Sequence, residues 1–330
     1  MAREPRLLPS SCSNGALVAG LVQRHVSRLV ALQAPVLKDT DPEPLHQMRV
    51  AMRRLRTTLS QFAPVVVLPA GVSDQRLAKS VRRLGMARDL DVLRERLDQD
   101  LVPGLPAEEQ AALKPVFRQL KRERRIAYEH LVEVLRGRSY LELLARLQDW
   151  LREPVVTPLG REPLHRWLNE WQLPPVLELF AHPGWWAEDP RADADVMHQL
   201  RRQIKGVRYR LENLRDSGGR RQLECITCLR SLQDLLGDLH DLEVLAKAID
   251  NQMSQTLEAD LPVLARLLQE RRDQAWSQWR QQALAIRGSR ARRELIDGLR
   301  REASRHRLVG MCSAIHGRVA IRMARIQRAQ

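Results

Sequence analysis

The strongest constraint on this fold is that the chain repeats itself. The stretch HQMRVAMRRLR at residues 46–56 recurs as HQLRRQIKGVR at 198–208, and LGMARDLDVL at 84–93 recurs as LGDLHDLEVL at 236–245. Both pairs are offset by 152 positions, as are Asp41 and Asp193, so the interval from Asp41 to Leu93 aligns with its copy without a gap. Beyond it, PVFRQLKRERR at 115–125 meets PVLARLLQERR at 262–272 at an offset of 147, and RGRS at 136 meets RGSR at 287 at 151. A register that holds within segments and slips only between them marks a duplicated unit with variable loops.

The repeated unit reads as helix. Apolar residues recur at three and four, and alternating β-branched runs are absent. Helices are expected near 14–37, 42–62, 74–101, 107–136, 138–152, 163–181, 193–216, 221–250, 258–287 and 289–328, with Asp41 and Asp193 as N-caps. Between the copies, 153–192 holds Pro154, Pro158, Pro163, Pro174, Pro175, Pro183 and Pro190. Proline lacks an N–H donor and clashes inside a helix, so this stretch is expected to be interrupted. The organisation expected is a first helical half over 1–152, a proline-rich connector with a broken helix over 153–192, a second half over 193–303, and a basic C-terminal helix over 304–330.

The duplicated stretch carries an unusual row of side chains. On a helix turning about 100° per residue, offsets of 0, 3, 7 and 10 fall at about 0°, −60°, −20° and −80°. His46, Arg49, Arg53 and Arg56 therefore share one narrow stripe about 15 Å long. His198, Arg201, Lys205 and Arg208 form its copy. Like charges three or four apart repel, so something must compensate them. One source is internal: Asp89 and Asp91, then Asp241 and Glu243, pairing with some of the arginines. Two carboxylates per half do not balance the stripe plus the cations of the third helix (Lys121, Arg122, Arg124, Arg125; then Arg271 and Arg272). The remaining expectation is an external anion. Guanidinium offers paired donors that match phosphate oxygens and stays charged, and histidine can gain a proton beside a polyanion. Two such rows facing one another would suit a linear chain of phosphates better than a single phosphate. His165, in PLHRWL, has its arginine one place later rather than three, and is not counted as a site residue.

Net charge agrees: 55 Lys and Arg against 40 Asp and Glu give +15, which calls for a polyanionic partner. No apolar run approaches the length of about 20 residues that spans a bilayer. Four cysteines are too few to staple this length. The lone C-x-x-C of Cys225 and Cys228 reads as buried or half-buried helix thiols, since a structural zinc site needs four ligands. No metal and no cofactor is expected, and a reducing, cytoplasmic setting is.

The pattern H-x-x-R-x-x-x-R/K-x-x-R, twice, each time followed by L-G-x-x-x-D-x-x-V-L, resembles the CHAD family from about residue 15 to about 303. The resemblance implies an all-α fold of two pseudo-symmetric four-helix bundles around a basic central pore. It also implies binding of inorganic polyphosphate and association with polyphosphate granules. The matching positions are His46, Arg49, Arg53, Arg56, His198, Arg201, Lys205 and Arg208. Lys79, Arg82, Arg83, Arg88, Lys121, Arg125 and Arg272 are looser carry-overs. Symmetry departs at Arg88, whose counterpart is His240. The E-x-E-x-K strand of the triphosphate-tunnel domain that some members add is not found, so the chain reads as the stand-alone form.

A non-enzymatic polyphosphate binder is therefore the first expectation. Nucleic acid ranks second, because the charge allows it but a recognised nucleic-acid motif and interleaved stacking aromatics are lacking. Phosphotransfer through His46 or His198 ranks third, without a Walker-type glycine loop or metal carboxylates beside them. Metal binding by those two histidines is weaker still. The sequence leaves the oligomeric state and the role of the tail open.

Overall fold

The computed structural model describes residues 12–252 and 256–305. Among them helices dominate and no strand forms; two isolated bridges, Ser13 with Pro163 and Val66 with Val156, tie the connector to the first half. The first half runs α1 (Asn14–Lys38), α2 (Glu43–Gln61), α3 (Asp74–Glu95), α4 (Lys114–Arg136) and α5 (Arg138–Arg152). The connector holds α6 (Leu168–Phe180); the second half runs α7 (Ala194–Asn213), α8 (Arg220–Asp250) and α9 (Pro262–Arg287), and residues 289–305 continue as helix. The rest of the expected last helix, and Cys312, lie outside the described residues.

Several expected boundaries are corrected. The helix expected over 74–101 closes in a π turn, Arg96–Leu101. The one over 107–136 divides into Ala107–Ala112 and α4, with Pro115 opening the second piece, where its missing N–H costs nothing. The one over 258–287 divides ahead of Pro262 in the same way. The one over 163–181 begins as a 3-10 turn, Leu164–Arg166, before α6. Conversely, α6 runs straight through Pro174 and Pro175. Leu173, Val176, Leu179 and Phe180 around them are buried in the second core, at about 1.5–3 kcal/mol each, against about 3 kcal/mol for an interior proline. The expected caps also shift. Pro42 takes the N-cap position of α2, while Asp41 accepts the Glu43 N–H at 2.9 Å. Asp193 does sit at the N-cap of α7, but its carboxylate turns back to the Glu188 and Asp189 N–H groups.

The packing pairs repeat as the sequence does. Helix α1 packs on α2, α2 on α3 and α3 on α4; likewise α6 packs on α7, α7 on α8 and α8 on α9. Two main cores form, one around Val18, Leu29, Met48, Met52, Leu55 and Phe62, which Leu164, Leu168, Leu214 and Ala303 join from beyond the first half, and one around Trp185, Leu200, Ile204, Leu232 and Trp279.

Two seams join the halves. In one, α2 packs on α7: Asn213 bonds Gln61 and Thr58, and Arg54 reaches Glu212 at 2.7 Å. In the other, the far ends of α3–α4 and α8–α9 share a third apolar cluster containing Leu97, Leu101, Leu113, Leu245, Leu261 and Leu264. Glu109 crosses this second seam, its buried carboxylate accepting the Val263 and Leu264 N–H groups at 2.8 and 2.9 Å. A carboxylate there satisfies orphan donors and complements the helix dipole of α9.

Candidate functional site

The two seams leave a cavity of about 980 Å³ between them. Helices α2 and α7 each turn their stripe into it, so His46, Arg49, Arg53, Arg56, His198, Arg201, Lys205 and Arg208 line one space. The stripe follows from the 3-4-3 spacing. The interleaved Leu45, Met48, Met52, Leu55 and Leu59 hold the opposite face of α2 in the first core, and so aim its cations outward from it. The same logic holds α7 through Met197, Leu200, Ile204, Val207 and Leu211.

Internal carboxylates neutralise part of the rows, in a repeated pattern. Arg49 lies over Gly85, where a Cβ would stand 3.7 Å from the guanidinium, and its Nη1 donates to Asp89 at 2.6 Å. Its copy Arg201 lies over Gly237 and stands 3.9 Å from Asp241. The last cations are paired differently. Arg56 makes a two-pronged contact with Asp74 at 2.6 and 2.8 Å, which raises the Arg56 pKa and lowers that of Asp74. Arg208 donates to Glu212 and to Gln233, the latter at 3.0 Å. The compensation expected from Asp89 and Asp91, with Asp241 and Glu243, is thus redistributed: Asp91 pairs with Arg124 and Glu243 with Lys247.

The middle cations are left over. Arg53 and Lys205 take part in no ion pair among the described residues, while Arg49, Arg56, Arg201 and Arg208 do. Burial, and then Arg49, lower the Arg53 pKa to about 10. Burial, and then Arg53, Arg201, Arg49 and Arg208, lower Lys205 to about 7. The imidazoles of His46, His198 and His240 are likewise pushed down, first by burial and then by neighbouring arginine: Arg88 for His46, Arg201 for the other two. The guanidinium Nε atoms of Arg49, Arg88 and Arg201 and the His198 Nδ1 are buried and unbonded. Such atoms cost about 1–3 kcal/mol each unless something accepts from or donates to them. With eleven Arg and Lys against four Asp along its walls, the cavity is a preformed positive field.

Of the other expected site residues, Arg88 lines this cavity and also a recess of about 800 Å³ beside α4, which Lys121 and Arg125 line too. Arg272 lines a second recess of about 390 Å³, beside α7 and α8. Lys79, Arg82 and Arg83 lie on α3 but line none of these three spaces, and Lys79 and Arg82 are exposed. Sequence reasoning missed Arg54, Arg202, Arg210 and Arg230, all on the cavity wall, and Tyr209, over which Arg208 and Arg54 stack at 4.5 and 5.5 Å. It also missed Glu212, which gathers Arg54, Arg208 and Arg230. Only the Arg208–Glu212 pair, four apart on one helix, left a signal.

Cys225 is buried and Cys228 half-buried on α8, and burial raises both thiols, Cys225 to about 12. Such thiols are inert packing groups. Among the described residues no helix is long and apolar enough to cross a membrane, and no group of three His, Cys, Asp or Glu is placed to hold a metal.

Comparison with known proteins places these features in context. The CHAD domain family matches residues 20–250, well over half of the chain. The crystal structure of the CHAD domain from the plant Ricinus communis is similar at 23% identity and a TM-score of 0.55, covering 91% of this chain and 96% of that one. PptA from Streptomyces chartreusis is similar at 18% identity and a TM-score of 0.62, covering 82% and 99%. At these identities the likeness is one of fold. No curated protein matches the sequence.

Proposed function

The chain belongs to the CHAD domain family, and from that premise we propose that it binds inorganic polyphosphate, without catalysis, in the cavity between α2 and α7. On this reading the halves are pseudo-symmetric four-helix bundles and the cavity is a basic pore. The protein would be a cytoplasmic one attached to polyphosphate granules. The observation that carries the reading is the pair Arg53 and Lys205, two repeat-equivalent cations without carboxylate partners in one shared cavity. A polyphosphate chain supplies their missing counterions.

The ligand-binding set is His46, Arg49, Arg53, Arg56, His198, Arg201, Lys205 and Arg208, with Arg88 at the mouth. An extended polymer fits because the cations run along two helices rather than converging on one point. Lys121, Arg125 and Arg272, in the flanking recesses, would meet a chain that runs on past the cavity.

The test is affinity against phosphate chain length at several salt concentrations. Binding should rise with length and fall steeply with salt, as counterion release requires. Equal affinity for tripolyphosphate and long chains would defeat the reading, and so would duplex DNA outcompeting long polyphosphate at fixed salt. ATP formed from ADP and polyphosphate in a His46-dependent way would overturn the non-enzymatic part.

A further inference from the structure

The duplication places a recess beside the central cavity in each half, and the two copies differ in chemistry. The first is walled by Arg88, Arg94, Arg118 and Lys121. At the matching positions of the second half stand His240, Ala246, Ala265 and Leu268. His240 and Ala246 line the second recess, while Ala265 and Leu268 pack into the apolar seam. The second recess combines Met197, Leu236, Leu239 and Ala246 with the charged side chains Arg191, Arg201, Glu243, Lys247, Glu258 and Arg272. It borders the main cavity, and His198, Arg201 and His240 line both spaces.

We propose that this second recess receives the base of a nucleoside polyphosphate, whose phosphate tail lies along Arg201 into the cavity. The inference rests on the phosphate-binding reading of that cavity. A bare phosphate chain has nothing to offer Met197, Leu236 and Leu239, and a wholly apolar ligand has nothing for Arg201. A ligand with a flat, uncharged head and an anionic tail satisfies both. At about 390 Å³ the recess lies within the range of about 300–1,000 Å³ usual for small-molecule sites. At its junction with the cavity the rings of His198 and His240 stand 4.8 Å apart at 46°, a platform on which a base can stack. The Arg201 guanidinium borders both spaces there, where the first phosphates would lie. At the rim, the Glu243 carboxylate and the Arg272 guanidinium offer an acceptor and donors for a base edge.

The experiment compares adenosine 5′-tetraphosphate with inorganic tetraphosphate by calorimetry, with long-chain polyphosphate as a third probe. The nucleotide carries one charge fewer, so electrostatics alone favours the inorganic ion. We expect the nucleotide to bind about tenfold tighter, the order of one stacked base. Ala246→Arg restores the residue found at the equivalent place in the first half and fills the recess with a cation. It should erase the nucleotide preference while long-chain polyphosphate still binds, which also reports that the variant folds. Equal or weaker binding of the nucleotide to the unaltered protein, with long-chain polyphosphate retained, would overturn this inference alone. A preference that survives Ala246→Arg would overturn the placement in this recess. Failure of all three probes would overturn the phosphate-binding reading along with it.

Discussion

Lys205 and Arg53 occupy the same place in the two copies of the repeat, line the same cavity, and have no carboxylate partner among the described residues. Arg53 is the first charge, after burial itself, that holds the Lys205 pKa down to about 7. The duplication has brought Arg53 to where, with Arg201, Arg49 and Arg208, it makes the Lys205 amine harder to charge, a strain that a bound anion would relieve.

The first consequence is a pH dependence of binding. A polyanion favours charged Lys205 and so raises its pKa from about 7 toward the ordinary 10.5. Binding then takes up a proton, and the association constant falls as pH rises above 7, by at most about tenfold per unit for one proton. Without ligand the sign reverses for stability. The unfolded chain holds this proton up to about pH 10.5 and the folded one releases it near 7, so folding stability from this group rises with pH between those values. Polyphosphate titrations across pH 6 to 9 should show the slope, and Lys205→Arg should flatten it.

Removing both unpaired cations should separate binding from folding. The double variant Arg53→Ala, Lys205→Ala breaks no ion pair among the described residues and relieves like-charge repulsion. Its melting temperature should therefore hold or rise. Its salt dependence should be shallower by about 1 to 2 in log–log slope, at 0.7–0.9 per lost phosphate contact. A variant with the original slope would show that these two residues do not touch the ligand.

On the phosphate-binding reading, Asp89 competes with the ligand for Arg49. It pairs with Arg49 at 2.6 Å but is itself mostly exposed, so the pair contributes little to stability. Asp89→Asn should leave the melting temperature within about a degree or two and tighten polyphosphate binding several-fold. Weaker binding would mean that Asp89 orients Arg49 for the ligand instead.

Glu109 should matter to folding and not directly to the ligand. Its buried carboxylate caps α9 from the other half of the chain. Glu109→Ala leaves the Val263 and Leu264 N–H groups without these acceptors, and is expected to cost about 1–3 kcal/mol in chemical denaturation. Polyphosphate affinity measured well below the transition should change little.

Part of this molecule could be read directly from the chain. The duplication, the helical class and the alignment of His46 with Arg49, Arg53 and Arg56 on one stripe all follow from local spacing, because an α-helix fixes the angle between residues whatever surrounds it. The family resemblance was legible for the same reason, since its motifs lie inside helices that slip no register. The fate of each charge was not legible. Asp74 reaches Arg56 from the start of α3, Arg96 crosses 142 residues to Asp238, and Asp91 is drawn off by Arg124. Counting carboxylates within a half could not reveal that Arg53 and Lys205 remain unpaired. Nor could it reveal that the two recesses diverge, because the walls of each come from several elements far apart in the chain. Ion pairing and cavity shape depend on which distant elements pack together, and only the tertiary structure decides that.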